Sequence, residues 1–292
     1  MATAIVTPFS QDGSINYDAL KNLIEFQIKS RVDAIVVCAT TGEASTLSYN
    51  EHLKTVEFCC KYVDGRVPII AGAGSNDTSH AIELSKDCFE IGADGLLIVT
   101  PYYNKTSQDG LVRHYLKIAD STDAPIILYN VPSRTGLNIS PETYKKLSEH
   151  ENIVAVKEAN GDISSITKTA SLCGDKLLIY SGNDDQTLPI LAIGGQGVIS
   201  VAANIIPNVL TGICNSFFVG DFESSKKLQL GYQLLMESLF CDVNPIAVKF
   251  ALNAMNFNVG GCRMPLTDLS DSKKELVLKA LEKHHLIEGN MP

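Results

Sequence analysis

The chain has 292 residues, 45% of them hydrophobic and 20% charged, a globular mix that excludes a disordered or fibrous chain. Its formal net charge of −9, with no basic run longer than pairs such as Lys145-Lys146 and Lys226-Lys227, excludes a phosphate-backbone partner, so no nucleic acid is expected. Ala2-Thr3-Ala4-Ile5-Val6 is not a basic segment leading into an apolar one, and no apolar stretch is long enough to cross a bilayer. Neither a secretory signal nor a membrane anchor is therefore expected. The eight cysteines form no C-x-x-C pair and several lie in apolar runs, which suits reduced thiols packed as small hydrophobes in a cytoplasmic protein.

Short β-rich apolar runs alternate along the chain with helical patterns. The strand candidates are Ala4-Val6, Ala34-Cys38, Pro68-Ala71, Gly95-Val99, Pro125-Tyr129, Ile153-Lys157, Leu177-Tyr180 and Gly197-Val201. Most are apolar throughout rather than alternating, as strands buried on both faces are. The helices expected between them cover Tyr17-Lys29, Leu47-Val63, Asn76-Ile91, Ser107-Ala119, Ser140-Ser148, Asp162-Leu172, Asp184-Ile193 and Pro207-Phe218. The third opens on Asn76-Asp77-Thr78, a capping sequence, and Gly92 follows it as a C-cap. Eight strand-helix units at this length predict an α/β protein, a (β/α)₈ TIM barrel, over residues 1–222. Helical stretches at Ser224-Leu239, Pro245-Met255 and Lys273-His285 predict a C-terminal helical appendage over 223–292.

Active sites of such barrels lie at the C-terminal ends of the strands. Ala39-Thr40-Thr41-Gly42-Glu43 follows the second strand, Thr100-Pro101-Tyr102-Tyr103-Asn104 the fourth, and Asn130-Val131-Pro132-Ser133-Arg134 the fifth. The sixth ends in Lys157 and the seventh leads into Ser181-Gly182-Asn183. A lysine closing an apolar strand is either a snorkelling surface residue or a buried amine. The hydroxyl-rich rim favours the second reading. Desolvation in an apolar barrel mouth favours the neutral amine, which attacks a ketone to form an imine. Glu158 should face away, because neighbours on a strand point to opposite faces. Thr41, Tyr103 and Tyr129 are either core packing or a hydroxyl chain that moves protons. Thr40-Thr41-Gly42 could hold a carboxylate. Arg134 is either an exposed loop arginine or a bidentate clamp for a second carboxylate.

These segments, together with Thr135-Gly136, Gly197-Val198-Ile199-Ser200-Val201 and Asn244-Pro245-Ile246-Ala247-Val248-Lys249, resemble the dihydrodipicolinate synthase family over nearly the whole chain and in order. The resemblance implies that Lys157 forms the Schiff base with pyruvate. It implies that Thr41, Tyr129 and Tyr103 relay protons, with Tyr103 reaching in from a neighbouring subunit. Thr40 and Thr41 would contact the pyruvate carboxylate, and Gly182 and Ile199 would supply backbone contacts near the lysine. Arg134 would bind the carboxylate of L-aspartate 4-semialdehyde, whose condensation product enters diaminopimelate and lysine synthesis. No cofactor and no metal is implied, and the assembly is a homotetramer of two tight dimers or a dimer.

Members inhibited by lysine bind it in a cleft whose positions correspond here to Ala44, Ser45, Tyr49, His52, Asn76, His80 and Tyr102. Sensitive members usually carry Glu at the position of His80 and His at that of Tyr49, so weak or absent lysine inhibition is expected. Many members also begin a few residues earlier, which makes a short first strand an expectation.

The nearest alternatives are N-acetylneuraminate lyase and 2-keto-3-deoxy sugar-acid aldolases on the same barrel. Arg134 and the Thr40-Thr41 pair favour the synthase. A metal-dependent aldolase would need a histidine or carboxylate cluster, yet none of the six histidines ends a strand candidate. Gly72-Ala73-Gly74-Ser75-Asn76-Asp77 lacks the last glycine of a nucleotide fingerprint and reads as a strand-to-helix turn. A non-catalytic ligand-binding or regulatory barrel is disfavoured by the intact Lys157, Tyr129 and Thr41.

Overall fold

In the computed structural model, which describes residues 1–288, eight parallel strands close into a barrel in chain order: β1 (Ala2–Ala4), β2 (Ala34–Val37), β3 (Ile69–Gly72), β4 (Gly95–Val99), β5 (Ile126–Asn130), β6 (Ile153–Glu158), β7 (Leu178–Ser181) and β8 (Gly197–Ser200). The last strand pairs back onto the first through Ala2–Ile199 and Thr3–Ser200. Positions 289–292 of the expected appendage lie outside the described residues.

The barrel helices are α1 (Tyr17–Lys29), α2 (Tyr49–Val63), α3 (Thr78–Glu90), α4 (Gln108–Ala119), α5 (Pro132–Thr135), α6 (Pro141–Leu147), α7 (Ile163–Cys173), α8 (Thr187–Ala192) and α9 (Pro207–Phe218). Caps set several starts. Ser48 and Glu51 form a reciprocal capping box that begins α2 at Tyr49, two residues later than its apolar pattern alone suggests. Ser107 and Asp162 accept backbone N–H groups at the starts of α4 and α7. Gly92, at φ +109°, leaves α3 in a conformation that suits glycine.

Two packed layers follow from the period-2 alternation of the strands. Ala4, Val36, Leu97, Ile127, Ala155 and Ile199 fill the barrel interior. Ile35, Leu96, Leu128, Val156 and Val198 face outward against helix residues such as Leu23, Val56 and Leu111. A bulge between β5 and β6 adjusts this alternation. Ile126 pairs with Ile153 but Ile127 pairs with Ala155, so Val154 is the extra residue. Beyond it, Tyr129 and Lys157 are register partners, and Asn130 and Glu158 are partners one step further on.

Three expectations are corrected. The first strand lies at Ala2–Ala4 rather than Ala4-Val6, because Val6 N–H turns to Asn204 Oδ1 and the Thr7 hydroxyl to Gly42 O. The stretch Ser224-Leu239 is two helices, α10 (Phe222–Gly231) and α11 (Gln233–Ser238), separated at Tyr232. Asp184-Ile193 opens as a 3₁₀ turn over Asp184–Gln186 before α8. The chain continues through α12 (Ile246–Ala254) and α13 (Asp271–Lys283), and α13 packs on both α11 and α12.

The glycines of Gly72-Ala73-Gly74 serve close approach. A Cβ on Gly72 would lie 2.3 Å from Cys38 O, and one on Gly74 would lie 2.4 Å from Val99 N. As expected, this segment turns β3 toward α3.

Candidate active site

Lys157 sits near the C-terminal end of β6 and is 3% exposed. Its Nζ lies 4.6 Å from the centroid of the Tyr129 ring on β5, and Tyr180 on β7 is its register partner on the other side. The neighbouring Glu158 faces outward. Its carboxylate accepts from Tyr144 Oη (2.7 Å), Asn130 Nδ2 (2.9 Å) and Asn160 N (2.9 Å). Burial pushes the Glu158 carboxyl up to about 7, against the pull of those donors. Asn130 also donates to Asn138 Oδ1 and accepts from Ile139 N. The strand ends carrying Tyr129 and Lys157 are thus tied together from behind, and the loop after β5 is tied to them.

The barrel mouth opens into a cavity of about 430 Å³ whose walls include Thr40, Leu97, Val99, Tyr129, Val131 and Arg134. Thr40 is half-buried and Thr41 is buried. The turn that carries them is anchored by Glu43, which holds a left-handed φ of 55°. Glu43 accepts from Lys249 Nζ at 2.7 Å through Oε1 and from Arg263 N at 2.9 Å through Oε2. Arg134 lies on α5, a short helix that starts at Pro132, where a missing N–H costs nothing, and ends on Gly136 at φ +67°. Its guanidinium is exposed and donates to Asn244 O at 3.3 Å. Asn244 also donates through Nδ2 to the Thr41 hydroxyl at 3.0 Å.

Gly182 follows the end of β7, where its N–H donates to Glu158 O at 2.7 Å and an added Cβ would meet that of Ala159 at 2.8 Å. Ile199 lies on β8 and is 1% exposed, within the inner apolar layer. Tyr103 does not line the cavity of its own chain. It is 91% exposed at φ +69°, on the tip of a tight turn closed by Asn104 N–H to Tyr102 O at 2.9 Å. Asn76 and Asn104 brace that turn: Asn76 Nδ2 donates to Tyr102 O and Asn104 Nδ2 to Asn76 O. A bulky residue held in the left-handed region is an outlier that points to function.

The cavity extends away from Tyr129 to Ala44, Ser45, Tyr49, His52, His80 and Tyr102, so six of the seven cleft positions share a wall with the barrel mouth. Asn76 is in the brace instead. Although His52 ends no strand in sequence, its Nε2 lies 2.8 Å from Gly72 O at the end of β3. That acceptor assigns the ring proton to Nε2, and burial takes the imidazole down to about 4. The Tyr49 hydroxyl donates to Asp87 Oδ2 at 2.8 Å.

Three groups around the site carry no sequence signal of their role. Asn244 and Lys249 reach the Thr41 turn from more than 200 residues away. Asp184 is fully buried, accepts from Val201 N and Ala202 N, and is close enough to Lys157 for the ammonium to oppose the rise in its pKa that burial causes.

A buried amine on a parallel-barrel strand, beside a tyrosine that lines the cavity together with Thr40 and Arg134, defines a barrel enzyme of the amine-nucleophile type. Residues 1–284 match the model of the dihydrodipicolinate synthetase family. The 4-hydroxy-tetrahydrodipicolinate synthase of Clostridium perfringens is 51% identical over 284 residues, 97% of each chain. The dihydrodipicolinate synthase structure from Aquifex aeolicus superposes with a TM-score of 0.96 at 41% identity, covering 99% of both chains. That of Acinetobacter baumannii, complexed with pyruvate, gives 0.96 at 41% identity over 98% of both. The chain belongs to the dihydrodipicolinate synthetase family.

Proposed function

We propose that this chain is a 4-hydroxy-tetrahydrodipicolinate synthase. It condenses pyruvate with L-aspartate 4-semialdehyde in the cytoplasm, on the route to diaminopimelate and lysine. The observation that carries the reading is Lys157, 3% exposed and 4.6 Å from the Tyr129 ring at the floor of the strand ends. The A. baumannii relative was solved with pyruvate, the substrate this amine would attack. The neutral amine adds to the ketone carbonyl, and the carbinolamine loses water to leave an imine. Loss of a methyl proton gives the enamine. Its carbon bonds to the aldehyde carbon while the aldehyde oxygen takes up a proton, which restores the imine. The amino group brought by the semialdehyde then attacks the imine carbon, closing the ring and expelling the Lys157 amine. Thr41, Tyr129 and the Tyr103 of a second copy carry those protons. Thr40 and Thr41 hold the pyruvate carboxylate beside the Gly182 and Ile199 backbone, and Arg134 holds that of the semialdehyde.

The strained, 91%-exposed Tyr103 supports assembly into a dimer or a tetramer of two dimers, because a second copy is what would bury it. Among the described residues no helix is long and apolar enough to cross a membrane, and the eight cysteines are free. The expected result is rapid loss of pyruvate with L-aspartate 4-semialdehyde and no cleavage of N-acetylneuraminate. Cleavage of the sugar acid alone would keep the amine and overturn the aldehyde.

Lysine feedback is weak or absent in this reading. The cavity wall formed by the described residues of this chain includes no carboxylate. His52 is neutral at pH 7, with its Nε2–H on Gly72 O, and Tyr49 is tethered to Asp87. A ligand ammonium entering there loses water without gaining a counter-charge from this chain. Half-inhibition by lysine is expected no tighter than millimolar; a value far below that would contradict the account.

A further inference from the structure

Asn244, just ahead of α12 and 5% exposed, touches both halves of the proposed chemistry. Its Nδ2 donates to Thr41 Oγ1 at 3.0 Å, and its backbone carbonyl accepts from Arg134 Nη2 at 3.3 Å. Its Oδ1 is buried without a partner. The amide faces Thr41 as a donor, with Nδ2 rather than Oδ1 toward the hydroxyl. A hydroxyl has one proton, and an oxygen that accepts from Asn244 must send that proton elsewhere.

We propose that Asn244 is a positioning residue: it orients the Thr41 hydroxyl to donate away from α12 and, through its carbonyl, sets the Arg134 guanidinium at the same cavity. The proposal rests on the Schiff-base reading above, with Thr41 in the proton relay. One residue then couples the group that serves pyruvate to the group that receives the second carboxylate. Thr41 and Asn244 lie 203 residues apart in sequence, so the coupling passes from the β2 turn to the C-terminal helices.

Asn244→Asp keeps the size and the backbone carbonyl but presents only acceptors, so the Thr41 proton turns back toward position 244. Asn244→Ala removes the side chain and leaves the hydroxyl free to rotate. Positioning predicts that Asn244→Asp loses about 10²-fold in kcat and Asn244→Ala less than about 10-fold, the scale of a misdirected proton transfer. The fall in kcat for Asn244→Asp should exceed any rise in the KM for pyruvate, since the misdirected transfer belongs to the chemical steps while the carboxylate keeps Thr40. A merely structural role predicts the reverse order, because Asp fills the space and Ala does not. In a Thr41→Val background the Asp substitution should add nothing, because the hydroxyl it acts through is gone. Additive losses, or Asn244→Asp at full activity with Thr41→Val crippled, would overturn the proposal alone. Full activity of Thr41→Val itself would overturn the relay reading, and the Asn244 proposal with it.

Discussion

Lys157→Ala should abolish turnover of pyruvate, with a loss in kcat of at least about 10⁴-fold, while the barrel remains folded. The size follows from the chemistry. No other described lysine combines an inward-facing strand position with a place beside Tyr129, and without an amine there is no electron sink for deprotonating the pyruvate methyl group. The stability cost should be modest, because the substitution leaves the backbone pairing of β6 with β5 and β7 in place and puts a small apolar side chain in a site that is 3% exposed. Steady-state assays beside circular dichroism separate the two effects. Residual activity within about tenfold of the native chain would mean that pyruvate is activated without an imine on this residue.

Lys249→Met should be the most damaging single change to stability that leaves every proposed substrate contact in place. Lys249 and Glu43 are 1% and 3% exposed and meet at 2.7 Å, with Lys249 Nζ also donating to Gly261 O at 2.6 Å and lying 4.2 Å from the Phe9 ring centroid. Burial lowers the Lys249 pKa, and the Glu43 carboxylate opposes that fall. Removing the cation alone leaves a carboxylate in a dry site, which costs about 3–5 kcal/mol. In a chain of this size that corresponds to a drop on the order of 10 °C in Tm. The double change Lys249→Met with Glu43→Gln should recover much of the loss, since the stranded charge is what costs. Glu43 is also the residue that holds the Thr40-Thr41 turn, so the single variant should lose activity before it unfolds. A Tm within about 2 °C of the native chain would show that the pair is not the anchor described here.

The barrel was legible because its strands are apolar throughout and each is followed by a helical period. The one-face clustering of Leu20, Leu23 and Ile24 in α1 identifies that helix to both ends. The outward turn of Glu158 was legible for the same reason, since alternation alone separates it from Lys157. The pairing of Tyr129 with Lys157 was not. It depends on the bulge at Val154, which no local pattern announces. Nor was α5, four residues long, visible behind the loop-like Pro132-Ser133-Arg134. The resemblance named Tyr103 as a relay residue, but its left-handed backbone and the Asn76–Asn104 brace are properties of the folded turn. Asn244 and Lys249 were out of reach for a different reason. Each acts across a separation of more than 200 residues, and only closure of the barrel and docking of α12 bring them to the Thr41 turn.

Imine formation on Lys157 is tested by reducing the protein with borohydride in the presence of pyruvate, followed by peptide mass mapping. A stable adduct is expected on the peptide containing Lys157, absent without pyruvate and absent in Lys157→Ala. An enzyme that turns over pyruvate yet shows no adduct, or one on a different lysine, would contradict it.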